Sequence, residues 1–293
     1  MLSTLDMISS GALHPANRTY LLSAAGREEV EYARLELLER IFDPATRQQL
    51  QFVMPGWRCL EIGAGRGSIS GWLAERVGDM GHMVATDIDV SGLKHLSAKC
   101  EVLQHDIASD SIERLGLASF DLVFSRFVLA HLHLFGCYES CVRRLVELLK
   151  PGGILVVEEL DQASCRSANP WHPLAREFDQ VVQHAKGMVR VSSGCNLSAL
   201  FYRCGLAVIR HEASSQLHAG ASEAARFYIE TVKATVASID RAGIASGLER
   251  EEMNASADVL VKCLADPQFL FLGHLHHAVV GQRLHERRAP VVA

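Results

Sequence analysis

The chain has 293 residues, of which 48% are hydrophobic and 22% charged, and its formal net charge is −5 at pH 7. This composition predicts a globular protein with a sizeable core, and the acidic balance argues against a nucleic-acid partner. Every apolar run is shorter than the roughly 20 residues of a membrane-spanning helix, so we expect no membrane partner either.

The N-terminus and the cysteines both indicate the compartment of the protein. The N-terminus lacks the basic segment and apolar core of a signal peptide. The eight cysteines are scattered along the chain without a Cys-x-x-Cys pair. Reduced, mostly buried thiols in a cytoplasmic protein are the simplest interpretation of this pattern.

Residues 1–54 are predicted to form a helical N-terminal cap segment. Apolar residues recur at helical spacing between positions 26 and 41, among interleaved charges. Asp43 and Pro44 then predict the start of a second helix, with Asp43 as its cap and Pro44 at its first helical position.

Strands alternate with helices from residue 55 onwards, which predicts a parallel sheet covered on both faces. The first five strands are expected in RCLEIG, HMVATDID, CEVLQHDI, FDLVFSR and GILVVEEL. Two further strands are expected in GLAVIRHE and QFLFLGHLHHAVVGQR. The helical stretch between these two is too long for a simple connection. We therefore assign residues 55–221 and 265–293 to one domain and 222–264 to a helical lid insertion.

Three alternate glycines, Gly63, Gly65 and Gly67, follow the first strand directly, where parallel sheets bind ligands. A dinucleotide fingerprint needs a glycine at the position that Ser68 occupies. Glu61 stands two residues before the first glycine, and a carboxylate suits a cationic ligand better than a pyrophosphate. The loop therefore favours a ligand with an amino group beside a sulfonium, while a nicotinamide-dependent oxidoreductase remains the disfavoured alternative.

Two further acidic residues stand at strand ends. Asp87 closes the second strand, where a carboxylate can accept hydrogen bonds from ribose hydroxyls. Asp106 closes the third strand, where it can pair with an adenine amino group or merely cap the following helix.

Five motifs occur together in the order and spacing of one known family. They are Glu61-x-Gly63-x-Gly65-x-Gly67, Asp87, Gln104-His105-Asp106-Ile107, Phe120-Asp121-Leu122-Val123 and Leu149-Lys150-Pro151-Gly152-Gly153. Over roughly residues 55–160 the chain resembles class I S-adenosylmethionine-dependent methyltransferases, in particular bacterial small-molecule enzymes of the quinone-biosynthesis and natural-product type. The resemblance implies a Rossmann-like α/β fold, a seven-stranded, mostly parallel sheet with an antiparallel last strand and helices on both faces. HLHHAVVGQR would be that last strand.

The resemblance also implies a binding site for S-adenosylmethionine, with S-adenosylhomocysteine as product. No metal is expected. Residues expected at the methionine end are Glu61, Gly63, Ala64 and Gly65. Those expected at the ribose and adenine are Asp87, Ile88, Asp106 and Ile107, and Tyr20 is a further expected contact. Ser125 or Arg126, after the fourth strand, would lie beneath the sulfonium.

Candidate bases lie after the fourth and fifth strands. His131 is the first choice, although a packing role is an equal alternative, and Glu158 or Glu159 is the second. Strand alternation puts the two glutamates on opposite faces. We expect methyl transfer to a small organic acceptor, aromatic or isoprenoid, with the methylated atom (oxygen, nitrogen or carbon) left open. A protein that binds the cofactor without transferring methyl is the alternative, and pairing of lid helices predicts a homodimer.

Overall fold

The computed structural model describes residues 28–96, 100–133, 137–161, 164–188, 194–241 and 247–285. Tyr20 lies outside the described residues. The strands of the described part are β1 (Arg58–Ile62), β2 (His82–Asp87), β3 (Cys100–Gln104), β4 (Phe120–Arg126), β5 (Leu149–Asp161), β6 (Arg166–Ser167), β7 (Leu206–Ser214), β8 (Leu217–Ala219), β9 (Leu270–Leu272) and β10 (Leu275–Arg283). Its helices are α1 (Glu28–Gln49), α2 (Ser68–Val77), α3 (Leu129–His133), α4 (Tyr138–Leu148), α5 (Ala175–Met188), α6 (Leu197–Arg203), α7 (Glu223–Arg241) and α8 (Gly247–Ala265).

Seven strands form the main sheet, in the order β3-β2-β1-β4-β5-β10-β7. Strands β1 to β5 pair in parallel, whereas β10 runs antiparallel to both β5 and β7. The predicted architecture, a mostly parallel seven-stranded sheet with an antiparallel last strand, is confirmed. The strand order reverses between β1 and β4, and the carboxyl ends at such a switch point are where open α/β sheets bind ligands.

Each face of the sheet is covered by its own apolar cluster, because neighbouring residues of a strand point to opposite faces. The face that carries Cys59, Phe124 and Val156 packs against α2 and the end of α1, and we call it the front face. The face that carries Leu60 and Val157 packs against α3, α4 and α6, and we call it the back face. Strands buried on both sides explain the nearly continuous apolar runs of the sequence.

Helix α1 is continuous where two helices were predicted, so the prediction of a restart at Pro44 was wrong. Pro44 lies inside the helix, although it donates no hydrogen bond to the preceding turn. Phe42 and Thr46, on either side of it, are both buried against the rest of the chain. Asp43 does not act as a cap, since its carboxylate accepts a hydrogen bond from Arg126. Tertiary packing therefore overrides the local breaker.

A small antiparallel sheet of order β6-β9-β8 was not predicted. The stretch expected as one final strand divides at Gly273 into β9, which belongs to the small sheet, and β10, which belongs to the main one. A Cβ at Gly273 would lie 2.7 Å from the Tyr228 hydroxyl oxygen, so the close approach at this division requires glycine.

Helices α1, α5, α7 and α8 and the small sheet enclose a third apolar cluster. Phe178, Phe227 and Tyr228 are buried inside it and so form core. Helices α7 and α8 occupy the segment that the sequence assigns to a lid, and its movement over a ligand stays a prediction. Within the described residues, the helix predicted after β2 is a single 3-10 turn, Ser91–Leu93. None of the helices in the described ranges is long and apolar enough to cross a membrane.

Candidate functional site

The loop between β1 and α2 is built on left-handed glycines. Gly63, Gly65 and Gly67 have φ angles of +73°, +57° and +80°, a region that other residues rarely adopt. A Cβ at Gly63 would lie 2.3 Å from the Val128 side chain, whereas one at Gly65 would have no atom within 4 Å. Gly63 is therefore required by packing inside the chain, and Gly65 leaves one side of the loop open.

The loop's N–H groups are largely used inside the chain. Gly63 and Ala64 both donate to the Thr86 carbonyl oxygen at 2.9 Å, and Gly67 donates to that of Ala64 at 2.8 Å. The Gly65 N–H donates to Asp87 Oδ2 at 2.8 Å. A pyrophosphate site needs free N–H groups that point at the ligand, so this arrangement disfavours the dinucleotide alternative.

Glu61 lies beneath the loop on the front face and is only 3% exposed. Its carboxylate accepts a hydrogen bond from the Ser70 hydroxyl on α2. Burial raises the pKa of the Glu61 carboxyl to about 8, against the lowering effects of Ser70 and of the Arg126 charge. A carboxyl group that is this hard to ionise gains most from a cation placed beside it.

Asp87 is partly exposed at the end of β2. Besides the Gly65 N–H, its carboxylate accepts the Asp89 N–H at 3.1 Å. Burial raises the pKa of Asp87, while these backbone hydrogen bonds lower it. Ile88 is half-buried, and its carbonyl oxygen accepts a hydrogen bond of 2.9 Å from the Gln104 side chain.

Asp106 serves the turn after β3. Its Oδ1 accepts the Ala108 N–H at 2.8 Å, and its Oδ2 accepts the Ser109 hydroxyl at 2.7 Å. The sequence left open the capping of a helix beside adenine binding, but the element that Asp106 caps is a turn. Ile107, by contrast, is buried in the back-face core.

Ser125, at the end of β4, is buried, and its hydroxyl oxygen has no hydrogen-bond partner among the described residues. Unpartnered buried hydroxyls are uncommon, because each one forgoes its hydrogen bonds to water. Such a group at a ligand-binding edge of the sheet fits a ligand contact.

Arg126, the next residue, points to the front face and is held by α1. Its Nη1 donates to Asp43 Oδ1 at 3.0 Å and to the Thr46 hydroxyl at 2.9 Å. Phe127 follows with a φ of +59°, which is rare for an aromatic residue. A strained residue here is kept in place by its surroundings, and such residues cluster at functional sites.

The two candidate glutamates at the end of β5 face opposite sides, as predicted from alternation. Glu158 is fully buried on the front face, where its Oε2 accepts the Thr46 hydroxyl at 2.6 Å. The His276 Nε2 lies 3.3 Å from the same oxygen. Glu158 Oε1 and His276 Nε2 both lack a hydrogen-bond partner among the described residues.

Glu159, on the back face, and His131 are placed differently. Glu159 Oε1 accepts the Leu129 N–H at 2.6 Å, so Glu159 joins β5 to the start of α3. Desolvation, together with the charge of Arg34, lowers the pKa of His131 to about 4. His131 is therefore a neutral imidazole at pH 7.

A cavity of about 280 Å³ lies between the end of α1 and the edge formed by β7 and β10. It is lined by Ala45, Gln49, Glu212, Ala213, Ser214, His276 and Ala278. The lining residues on β7 and β10 lie where β7 ends and β10 begins, which is the end of the sheet that carries the glycine loop, with β4 and β5 between them and β1. Glu158 lies behind His276, next to the cavity.

Sequence patterns missed Thr46 and His276 as partners of Glu158. The two residues come from α1 and β10, so they are remote from Glu158 in sequence and meet it only in the fold. β10 carries two consecutive histidines. Strand alternation places His276 on the front face and His277 on the back face, so they do not converge on one point.

A family model described as "Methyltransferase domain" matches residues 60–157. This range holds the glycine loop and the strand ends described above. No curated protein matches the chain.

Several solved structures share the fold. A methyltransferase candidate from Bacillus halodurans is 14% identical, with 83% of this chain and 99% of that chain covered and a TM-score of 0.52. The [4+2]-cyclase SpnF is 16% identical, with 83% and 81% covered and a TM-score of 0.51. A chain from a Haloferax volcanii complex of a methyltransferase with its Trm112 activator is 14% identical, with 89% and 100% covered and a TM-score of 0.50. Likeness at these identities establishes the fold alone.

Proposed function

We propose that the chain is a class I S-adenosylmethionine-dependent methyltransferase, which transfers methyl to a small organic acceptor bound beside Glu158 and His276. The observation that carries the proposal is the match over residues 60–157 together with a glycine loop that is open at Gly65.

Five residues support the fit of the cofactor to this site. The open side of Gly65 leaves room for a ligand, and Asp87 keeps part of its carboxylate exposed for ribose hydroxyls. The buried Glu61 carboxyl favours the ligand's amino group. Ile107, beside Asp106, would add apolar contact to the adenine, and the Ser125 hydroxyl would face the methionine end.

When bound, S-adenosylmethionine supplies a methyl group that its positive sulfur has already activated. The chain's own contribution is to hold the acceptor in line and to exclude water, which is worth up to roughly 7–11 kcal/mol when the reacting atoms are held in place. Arg126, tied to Asp43 and Thr46, positions α1 against β4 rather than binding the ligand.

The cavity beside His276 supports an acceptor of modest size. Its 280 Å³ lies just below the usual range of small-molecule pockets, roughly 300–1,000 Å³. Beside it, Glu158 Oε1, His276 Nε2 and Gln49 Oε1 lack hydrogen-bond partners among the described residues. An acceptor with hydroxyl or amino groups would satisfy these atoms. We therefore favour a hydroxylated or amino-substituted aromatic ring over an extended isoprenoid chain.

Glu158 with His276 is the better candidate base system. An imidazole whose pKa is near 4, as in His131, takes up a proton poorly at neutral pH. Glu159 is engaged with the Leu129 N–H on the other face. The proposal assigns to His276 the acceptor's proton and to Glu158, whose Oε2 lies 3.3 Å from His276 Nε2, the stabilisation of the protonated imidazole.

The test uses methyl-labelled S-adenosylmethionine and a panel of phenols, catechols, quinols, aromatic amines and thiols. We expect a labelled product with the wild type. In Glu158→Gln and His276→Gln the amount of this product should fall strongly, while the affinity for S-adenosylhomocysteine stays unchanged. A loss confined to Glu159→Gln would place the acceptor on the back face instead.

Two results would overturn the function itself. Binding of S-adenosylhomocysteine without any labelled product across the panel would favour a protein that uses the cofactor for another purpose. Tight binding of NAD(P)H without S-adenosylhomocysteine binding would favour an oxidoreductase.

All eight cysteines are free, which supports the proposal of a reducing, cytoplasmic location. Pairing through α7 and α8 into a homodimer remains part of the proposal, and sedimentation tests it.

A further inference from the structure

A second group of reactive side chains lies on the back face of the sheet, away from the cavity. Asp161 ends β5, Cys195 lies in the 3-10 turn Gly194–Asn196, and His277 lies near the start of β10. One ligand atom of each residue lies within 4.8 Å of the others. The three residues come from separate parts of the chain, so only the fold brings these different donor types together.

The two distances from the Cys195 sulfur match those of a tetrahedral metal site. Cys195 Sγ lies 3.3 Å from Asp161 Oδ2 and 3.7 Å from His277 Nε2. In a tetrahedral zinc site with zinc–sulfur bonds near 2.3 Å and zinc–nitrogen or zinc–oxygen bonds near 2.05 Å, these ligand atoms lie about 3.6 Å apart. Small shifts of the side chains would therefore place one ion within bonding distance of all three.

The imidazole of His277 is held by a second layer of hydrogen bonds. Its Nδ1 lies 2.9 Å from His211 Nε2, and His211 Nδ1 lies 2.7 Å from the Ser198 hydroxyl. In one of the two tautomers that satisfy this chain, His277 Nδ1 donates to His211, and the Nε2 lone pair faces Cys195. A metal-binding histidine almost always donates its other N–H in this way.

Gly194 lets the turn approach this imidazole. A Cβ at Gly194 would lie 2.4 Å from His277 Cδ2, so any larger residue would push Cys195 away from the ring. The backbone is thus fitted to bring the thiol to His277.

We propose that Asp161, Cys195 and His277 form a binding site for a zinc-like divalent cation. Mixed thiolate, imidazole and carboxylate donors suit such borderline metals rather than magnesium or calcium. Three protein ligands leave one position for water or another exchangeable ligand, and the exposed Cys195 gives the ion access from solvent. The site is separate from the acceptor cavity, since it lies on the other face of β10.

The test titrates zinc, and then cobalt, into tag-free, reduced and metal-stripped protein. We expect one ion per chain, a higher thermal unfolding midpoint with zinc, and a thiolate-to-cobalt charge-transfer absorption. Cys195→Ser should lose the absorption and weaken binding by more than the roughly 10–100-fold that outer-layer changes typically cost. Cys137→Ser, a thiol elsewhere on the chain, is the matched control and should bind as the wild type does.

Two further variants test positioning without removal of a ligand. His211→Gln should weaken zinc binding by about 10–100-fold while the cobalt absorption is retained. Gly194→Ala should also weaken it, because the added methyl group displaces the turn. Unchanged zinc affinity in Cys195→Ser, or cobalt binding without thiolate absorption in the wild type, would overturn the proposal. Because the readout is metal binding, it is independent of methyl transfer.

Discussion

Replacement of Gly65 by asparagine tests whether the open side of the loop is a ligand surface. Asparagine tolerates positive φ better than most residues, so Gly65→Asn keeps the backbone while its side chain enters the space that is empty within 4 Å. Gly205→Asn is the matched control, because Gly205 also has a positive φ, of +83°, and no atom within 4 Å of its Cβ position. Gly205 follows α6 and lies far from the glycine loop.

The structure separates the two effects of the substitution. A left-handed conformation costs an ordinary residue roughly 1–2 kcal/mol. For chains of about this size 1 kcal/mol corresponds to roughly 2–4 °C in unfolding midpoint, so both variants should lose at most roughly 8 °C. Only Gly65→Asn places atoms where the cofactor is proposed to bind, and we expect at least a 100-fold loss of affinity, or about 2.7 kcal/mol.

Calorimetric titration with S-adenosylhomocysteine, paired with thermal unfolding of each variant, measures both quantities. Wild-type affinity in a folded Gly65→Asn protein would refute the reasoning, since the loop would then be only a turn. Equal loss of affinity in Gly205→Asn would refute it too, because the effect would come from general destabilisation. Gly65→Ala, with one added carbon, should give an intermediate loss.

Three other variants follow from the buried charges. The folded-state pKa of Glu61 is about 8, above its ordinary 4.5. The contribution of Glu61 to the free energy of unfolding therefore falls as the pH rises from about 4.5 to 8. In urea titrations at a series of pH values, Glu61→Gln should make this fall less steep. Burial lowers the pKa of His274 from 6.5 to about 4, so stability should fall as pH drops through that window, and less steeply in His274→Gln. Asp43→Asn leaves the buried Arg126 without its anion and should lower the free energy of unfolding by about 3–5 kcal/mol in chemical denaturation. A denaturation midpoint equal to that of the wild type would contradict this expectation.

The sequence was informative wherever a signal was local. Strand alternation predicted the main sheet and the opposite faces of Glu158 and Glu159, because both depend on the two-residue period of a strand. The acid at the entrance of the glycine loop was noted from its spacing alone. Its burial, and hence the raised pKa of Glu61, was not predictable, because it depends on α2 and on neighbouring strands.

The remaining features depend on contacts between distant parts of the chain. Pro44 is a helix breaker by every local rule, yet burial on both sides of it keeps α1 continuous. The small sheet joins β6, β8 and β9, which have two or three residues each, too few for a periodic signal. Asp106 illustrates the intermediate case, since the sequence offered capping and ligand binding and the structure displays the capping bonds.

The two proposed sites lie on opposite faces of the same end of the sheet, at β5 and β10. Glu158 on β5 pairs in register with Ala278 on β10, and Glu159 pairs with His277. The two strands therefore present one set of side chains to the front face and another to the back face. The front set, Glu158 with His276, meets α1 and borders a cavity. The back set, Glu159 with His277, lies away from that cavity, and His277 Nε2 lies 3.7 Å from the Cys195 sulfur. Because the sheet itself separates the two sets, a change on one face leaves the donors on the other in place, and acceptor binding and metal binding can be tested independently.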